Sequence, residues 1–537
     1  MTTHETADAA VTTVATVATV AELLAKDFGT VADLIRLHAT HRPEHPAFIL
    51  GGRQINYIGL DRMMDRIASA LQRDGLGVGD CIAICAGTSI DYAMLYLGAL
   101  RAGVTVAPLP PSSAPEALAG MIQDSDARML FIDEDAAGAM ASMLPRLAAR
   151  RVTIDGKAGG ASLHAWLASS TAAPATAAIL PGTAFNIIYS SGTTGVPKGI
   201  VQPFSLRWAQ LQRSVVLEYS GNAVTLLSTP LYSNTTLVSF FSTLGMGGSV
   251  VLLEKFDARS YLELAERHRV THTMLVPVQY QRLMAVPDFD QYDLSSYRMK
   301  FCTSAPCSAA LKQDVLARWP GGLVELYGMT EGGGSCQLFA HLHPGKLHTV
   351  GTPAPGSEFR VIDEQGRELP AGETGEIVGR SGGMMSGYHK QPEKTAEAEW
   401  HDAAGVRFIR TGDIGRFDAE GFLTLLDRKK DMIISGGFNI YPSDLEAVLR
   451  QHPAVEDVAV AGVASERWGE TPVAFVVLRA AAMEEGSPLL SWANERLGKM
   501  QRLAAVEIVQ ALPRSAIGKV LKRELRDQYA GMVKQAA

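Results

Sequence analysis

The feature that most restricts this chain is an alternation of short apolar stretches with helix-spaced segments over its first hundred residues. Phe48-Ile49-Leu50 and Cys81-Ile82-Ala83-Ile84-Cys85 read as short strands. Between them, Leu60 to Leu71 places apolar residues at helical spacing, and Gly75 follows as a stop signal. Tyr92 to Gly103 predicts a second helix and Val104 to Pro108 the next strand. Strands that alternate with helices favour a parallel sheet covered by helices on both faces. The expected fold class of the larger, N-terminal part is therefore α/β.

The texture changes late in the chain. Gly415 to Leu426 mixes polar and apolar residues like an antiparallel hairpin, and the charged run Asp427-Arg428-Lys429-Lys430-Asp431 follows. Beyond it, Ile433-Ile434, the helix-like Pro442 to Gln451, Val455 to Val463 and Val473 to Leu478 predict a small α+β unit. The charged run sets the expected boundary, with a large domain over 28–429 and a small one over 430–537. At 537 residues, 47% of them hydrophobic, the chain exceeds one ordinary core. Residues 1–27 are rich in Ala, Thr and Val, carry Glu5 and Asp8, and lack a basic leader. They read as a mobile tail ending in a short helix, not as a signal peptide.

Bulk properties exclude several function classes. A net charge of −7 argues against nucleic acid or an anionic membrane as partner. No apolar run reaches the ~18–20 residues of a membrane-spanning helix. The five cysteines, Cys81, Cys85, Cys302, Cys307 and Cys336, are odd in number and contain no CxxC pair. Reduced thiols in a cytoplasmic protein fit this better than a disulfide framework or a zinc site. His341, His343 and His348 read as a polar loop in preference to a metal site.

The most specific string is Tyr189-Ser190-Ser191-Gly192-Thr193-Thr194-Gly195-Val196-Pro197-Lys198-Gly199. Hydroxyls and backbone N–H groups without bulky side chains suit a loop that wraps phosphate oxygens, and Lys198 adds positive charge. The Walker A spacing is absent. A Ser/Gly block alone would be an ordinary surface turn, but the Thr-Thr-Gly-x-Pro-Lys-Gly string is far more specific than that.

This loop resembles the phosphate-binding signature of the acyl-adenylate-forming superfamily, which includes acyl-CoA synthetases, peptide-synthetase adenylation domains and beetle luciferases. The resemblance continues in order through Tyr327-Gly328-Met329-Thr330-Glu331, Thr411-Gly412-Asp413, Asp427 to Asp431, Gly436-Gly437-Phe438-Asn439-Ile440-Tyr441-Pro442 and Pro513-Arg514-Ser515-Ala516-Ile517-Gly518-Lys519. It implies a large domain of two α/β sheets plus a distorted β-barrel, and a small α+β domain that turns about a hinge near Lys430. It also implies an ATP-dependent carboxylate:CoA ligase that forms an acyl-adenylate and then a thioester, with Mg²⁺ as cofactor.

The roles implied by resemblance match the residue types. Bringing a carboxylate to an anionic phosphate requires cations and oriented dipoles. Glu331 would hold Mg²⁺, a hard cation that prefers oxygen, with Thr194 as a direct or outer partner. Lys519 is the expected catalytic lysine of adenylation, because a flexible ammonium reaches both the α-phosphate and the incoming carboxylate. Ser190, Ser191, Gly192, Thr193, Thr194, Gly195, Lys198, Ala305, Glu325, Leu326, Tyr327, Gly328, Met329 and Thr330 would surround the nucleotide, with Tyr327 as a face for adenine. Asp413, acceptor-only when ionised, would take the ribose hydroxyls, and Arg428 the ribose or phosphate. Lys429 reads as a solvated surface charge. Gly436, Gly437 and Phe438 would let the pantetheine arm of CoA pass.

The acid pocket implied by resemblance involves Tyr232, Ser233, Thr235, Ser239, Gly328 and Gly333. No acidic residue lies in Tyr232 to Ser239, where an amino-acid substrate would need one for its ammonium. Gly328, followed by Gly332-Gly333-Gly334, implies an open pocket for an aryl, phenylpropanoid or medium-to-long fatty acid. One departure stands out: many relatives carry a His that gates the thiol route where this chain has Ser233. Two rival readings stay open. One is a stand-alone adenylating enzyme that loads a carrier protein; the other is a catalytically silent binding homologue. The expected partners are the acid, ATP and CoA, without nucleic acid or integral membrane, and a homodimer is compatible with the sequence.

Overall fold

The computed structural model describes residues 19–157, 160–190, 198–435, 438–465, 467–479, 486–498, 501–515 and 518–536. Cys81–Cys85 is a strand buried at all five positions. That two-sided burial is what a parallel strand between helical layers requires. It lies between Thr105–Leu109 and Ala127–Ile132, parallel to both. The sheet extends on one side through β1 (Ala184–Ser190), β2 (Lys198–Pro203) and Gly387–Tyr388. β1 pairs parallel with Thr105–Leu109, whereas β2 turns back antiparallel on β1. The expected helices span Tyr57–Arg73, N-capped by Asn56, and Ile90–Arg101, N-capped by Ser89.

A second, nine-stranded sheet has a parallel centre, with Val224–Leu227, His272–Leu275, Met299–Thr303 and β3 (Gly322–Gly328) side by side. Helices α1 (Phe204–Arg213) and α2 (Asn234–Gly245) belong to the layer shared by the two sheets. Its centre is an aromatic cluster in which Phe185 meets Phe204 at 4.9 Å and Phe241 at 5.1 Å. A five-stranded antiparallel sheet contains β4 (Arg407–Phe417) and β5 (Leu423–Arg428), paired across Asp413↔Arg428. This sheet stands where the barrel was expected.

The chain after Asp431 forms a separate sheet built on β6 (Gly469–Leu478), antiparallel to Val455–Ser465 and parallel to Ala505–Ile508. Helices Pro442–Leu449, Gly486–Arg496 and Lys522–Ala536 accompany it. The protein is thus a large domain of α/β and antiparallel sheets with a smaller α+β domain. No helix among the described residues is long and apolar enough to cross a membrane.

The short helix expected at the end of the N-terminal segment is present, and residues 19–27 are anchored on the large domain. Helix Val20–Leu24 is closed by a Thr19–Glu22 capping box and buries Leu24. Trp208 then donates to the Lys26 carbonyl at 3.1 Å and Gln212 to that of Leu24 at 2.9 Å. An indole and an amide presented by α1 satisfy the carbonyls that the helix end leaves open.

Candidate active site

Ligands of open parallel sheets gather where strands end, and here several predicted residues stand at such ends. β1 ends at Ser190, β3 runs into Thr330-Glu331, and Met299–Thr303 runs into Ser304-Ala305. Ser191, Gly192, Thr193, Thr194 and Gly195 lie outside the described residues, as do Gly436 and Gly437. The same holds for the side chains of Ser190 and Phe438.

Tyr388 links two of the predicted residues, Glu331 and Lys198. Its hydroxyl donates to Glu331 Oε1 at 2.9 Å, and Lys198 Nζ lies 5.0 Å over its ring. Burial first, and then the Glu331 charge, push the Tyr388 phenol up, so it remains a donor. The Glu331 carbonyl accepts from the Met385 amide at 2.8 Å, which anchors its backbone. The carboxylate is thus oriented through one oxygen, and no hydrogen bond among the described residues takes the other. Among the described residues no group of three or more His, Cys, Asp or Glu gathers. A single carboxylate suits Mg²⁺, which keeps waters and takes its other oxygens from substrate phosphates. Sequence reasoning missed Tyr388. Nothing in Ser386-Gly387-Tyr388 marks it as functional, because its partner is 57 residues away.

Asp413, the residue expected to take the ribose, gathers two other predicted residues. Tyr327 donates its hydroxyl to Asp413 Oδ2 at 2.7 Å, and Arg428 Nε lies 3.1 Å from Oδ1. Burial, reinforced by the Asp413 charge, holds the Tyr327 phenol well above its ordinary value. The ring that would face adenine is thereby tied to the carboxylate that would take ribose. Lys519 rides a tight loop. Its amide donates to Ser515 Oγ at 3.2 Å, and Arg514 donates to the Gly518 carbonyl at 2.6 Å. At Gly518 the backbone has φ +77°, and a Cβ there would come within 3.0 Å of Val278. The loop of the small domain therefore abuts the large domain beside the end of strand His272–Leu275. Burial, then the charges of Arg428 and Lys430, pull the Lys519 ammonium down to about 8, with Asp413 and Asp431 opposing.

Other predicted residues are redistributed. The Glu325 carboxylate does not reach the site: it is buried in an ion pair with Lys312, whose Nζ also donates to the Leu347 carbonyl at 2.7 Å. Glu325 and Tyr327 share one face of β3, but Glu325 lies two residues further from the strand end, where Lys312 is its buried partner. Leu326, Met329, Thr330 and Ala305 are half-buried at the strand ends. Ser304 beside Ala305 has φ +77° and joins Thr235 hydroxyl to hydroxyl at 2.6 Å. Tyr232 is half-buried, and Ser233 is the N-cap of α2 without a side-chain cap bond. Ser239 is not a pocket wall but a core residue, fully buried, taking the Tyr219 hydroxyl at 2.8 Å.

The glycines divide as well. A Cβ at Gly328 would meet nothing closer than 3.4 Å, so that position is open. A Cβ at Gly332 would stand 2.2 Å from the Gly383 carbonyl, and one at Gly333 3.0 Å from Ile409 and from the Met329 sulfur. Gly332 and Gly333 are small because neighbouring chain packs against them, not because they leave room for substrate. Lys429 is exposed, as expected of a surface charge, and pairs at 3.0 Å with Glu376, a carboxylate only 6% exposed that also binds Arg410 at 2.8 Å. Lys430, the expected hinge, is exposed.

Comparison with known proteins agrees with this geometry. The profile of the AMP-binding enzyme family matches residues 35–389, and that of the AMP-binding enzyme C-terminal domain matches 444–519. The chain is 33% identical to the fatty acid–[acyl-carrier-protein] ligase ScoC of Streptomyces coeruleorubidus, over 94% of this chain and 97% of that one. It is 32% identical to 4-coumarate–CoA ligase-like 9 of Oryza sativa subsp. japonica, over 91% and 90% of the two chains. The crystal structure of ATP-bound MatB from Rhodopseudomonas palustris superposes with a TM-score of 0.82 at 30% identity, covering 93% of this chain and 99% of that one. With its motifs at the strand ends and its small domain carrying Lys519, this chain belongs to the AMP-binding, acyl-adenylate-forming enzymes and is an acid–thiol ligase of the AMP-forming kind.

Proposed function

We propose that the enzyme joins an aryl, phenylpropanoid or medium-to-long-chain fatty acid to CoA at the expense of ATP. The observation that carries this reading is the Lys519 loop set against Val278 of the large domain, within the field of the Arg428–Asp413 pair to which Tyr327 donates. In the first step a substrate carboxylate oxygen attacks the α-phosphorus, and the bond to pyrophosphate breaks. Lys519 and Arg428 would offset the negative charge that accumulates in that step, where preorganised cations are worth most. Tyr327 and Asp413 hold the adenosine. Mg²⁺, bound through Glu331, would neutralise phosphate charge. In the second step the thiolate of CoA attacks the acyl carbon and AMP leaves, so the protein itself needs no nucleophile.

The thiol side has one further support. Ser435 pairs with Gly469, so the segment entering Gly436-Gly437 lies beside the tip of the β6 hairpin. There Trp468 is 45% exposed, with the Arg467 guanidinium 4.7 Å over its ring. An exposed indole with a cation next to the expected pantetheine route suits the adenine and phosphates of CoA. The open Gly328 and the absence of charge between Tyr232 and Ser239 support an uncharged acyl group. Likeness to a carrier-protein ligase keeps phosphopantetheine on a carrier as the second reading. The test is pyrophosphate release with Mg-ATP over benzoates, cinnamates and fatty acids of graded length, with and without CoA. Thioester formation with one class supports the ligase reading; adenylate without CoA acylation would move it to the carrier protein.

A further inference from the structure

Arg207 of α1 is 2% exposed, and among the described residues no carboxylate pairs with it. Its guanidinium lies 5.6 Å from the ring centres of both Phe185 and Phe241. Nη1 donates to Gln210 Oε1 at 2.8 Å, and Nη2 to Gln202 Oε1 at 2.6 Å and Asn234 Oδ1 at 2.5 Å. Nε is buried without a hydrogen-bond partner. Burial pulls the group down to about 10. A cation buried among neutral partners weakens a fold, and well-packed apolar replacements often do better. Local violations of this kind concentrate where geometry serves function.

What Arg207 holds lies on two sides of the active site. Gln202 sits in β2, the strand that begins with Lys198. With its Oε1 taken by Arg207, the Gln202 Nε2 is turned to the Thr330 carbonyl, 2.7 Å away, one residue before Glu331. Asn234 opens α2, and the next residue, Thr235, is the one joined to Ser304. Nη2 alone reaches both amides while Gln210 holds Nη1, so the rigid guanidinium plane fixes the donor between them, which an ammonium on a flexible stem would not do with the same geometry.

We propose that Arg207 is a positioning residue that fixes the separation between the Thr330-Glu331 turn and the start of α2. It would thereby set the distance from the metal-holding carboxylate to the acyl side of the site. This rests on the reading of Glu331 and α2 given above.

The experiment compares Arg207→Met, Arg207→Lys and Gln202→Leu in the full chain. The readouts are thermal unfolding, amide hydrogen exchange and pyrophosphate release. In Arg207→Met the melting temperature is expected to hold or rise, while exchange at Thr330–Gly332 and at Asn234–Thr236 quickens together. The kcat/KM for the acid should fall at least tenfold. Arg207→Lys should recover little of it, and Gln202→Leu added to Arg207→Met should cost little more, because both break one network. Unchanged exchange in both segments, or a lowered melting temperature with wild-type kcat/KM, would overturn the proposal. If the wild type forms no adenylate with any acid, the catalytic reading fails, and the exchange result still decides for or against the tether.

Discussion

The hydroxyl of Tyr388 is bonded to Glu331 at 2.9 Å while the ring of the same tyrosine lies under Lys198. One side chain thus orients the carboxylate expected to hold the metal and flanks the lysine at the end of the phosphate loop. Hydrogen bonds to charged groups contribute about 1.5–3 kcal/mol. Tyr388→Phe should therefore lower adenylation roughly 10- to 100-fold, with the loss expressed as a raised Mg²⁺ requirement. Titrating Mg²⁺ against pyrophosphate release checks it: an unchanged Mg²⁺ dependence would remove Tyr388 from the orienting of Glu331.

Lys519 is held at about 8, well below an ordinary lysine, by burial and by Arg428 and Lys430. A group with that value is protonated below pH 8 and loses its charge above it. The kcat/KM for adenylation, which reports the free enzyme, should fall as pH rises through about 8. The kcat profile should break at higher pH, because bound nucleotide adds negative charge that favours the ammonium. Lys519→Ala should reduce adenylation on the order of 10²-fold or more, yet still pass a preformed acyl-adenylate to CoA.

Glu325 and Lys312 form a buried pair remote from solvent. Removing one partner of such a pair costs about 3–5 kcal/mol, whereas replacing both by apolar residues is often neutral. Lys312→Met should unfold at markedly lower denaturant, and Lys312→Met with Glu325→Leu should recover most of the loss. Recovery in stability together with an unchanged KM for ATP would assign Glu325 to the fold.

The two kinds of glycine should respond oppositely. Gly332→Ala drives a Cβ to within 2.2 Å of a carbonyl at φ +76°, so a loss of about 1–3 kcal/mol is expected. Gly328→Trp should leave stability nearly intact and shift preference towards short acids by filling the open position. Melting curves and the acid panel separate the two outcomes.

Trp468→Ala should raise the KM for CoA, by an amount corresponding to ~1–3 kcal/mol of lost stacking. Pyrophosphate release without CoA should be unaffected. A normal KM for CoA in this variant would place the nucleotide end of CoA elsewhere.

The strands Cys81–Cys85 and Thr105–Leu109, the helix after Asn56, the change of texture at Asp427 and the reaction class were all legible in the sequence. The elements depend on a local period or a glycine stop, and the reaction class on the resemblance that the ordered motifs carry. What the tertiary structure decided are relations between residues far apart in the chain. Tyr327 and Asp413 are 86 residues apart, and the Lys519 loop meets Val278 from the other domain. The placing of Glu325 and Ser239 in the core, of Lys429 against Glu376, and of Arg207 between two amides follows the same rule. Whether a polar or small side chain faces substrate, core or solvent depends on which distant atoms pack against it, and sequence spacing carries no record of those atoms.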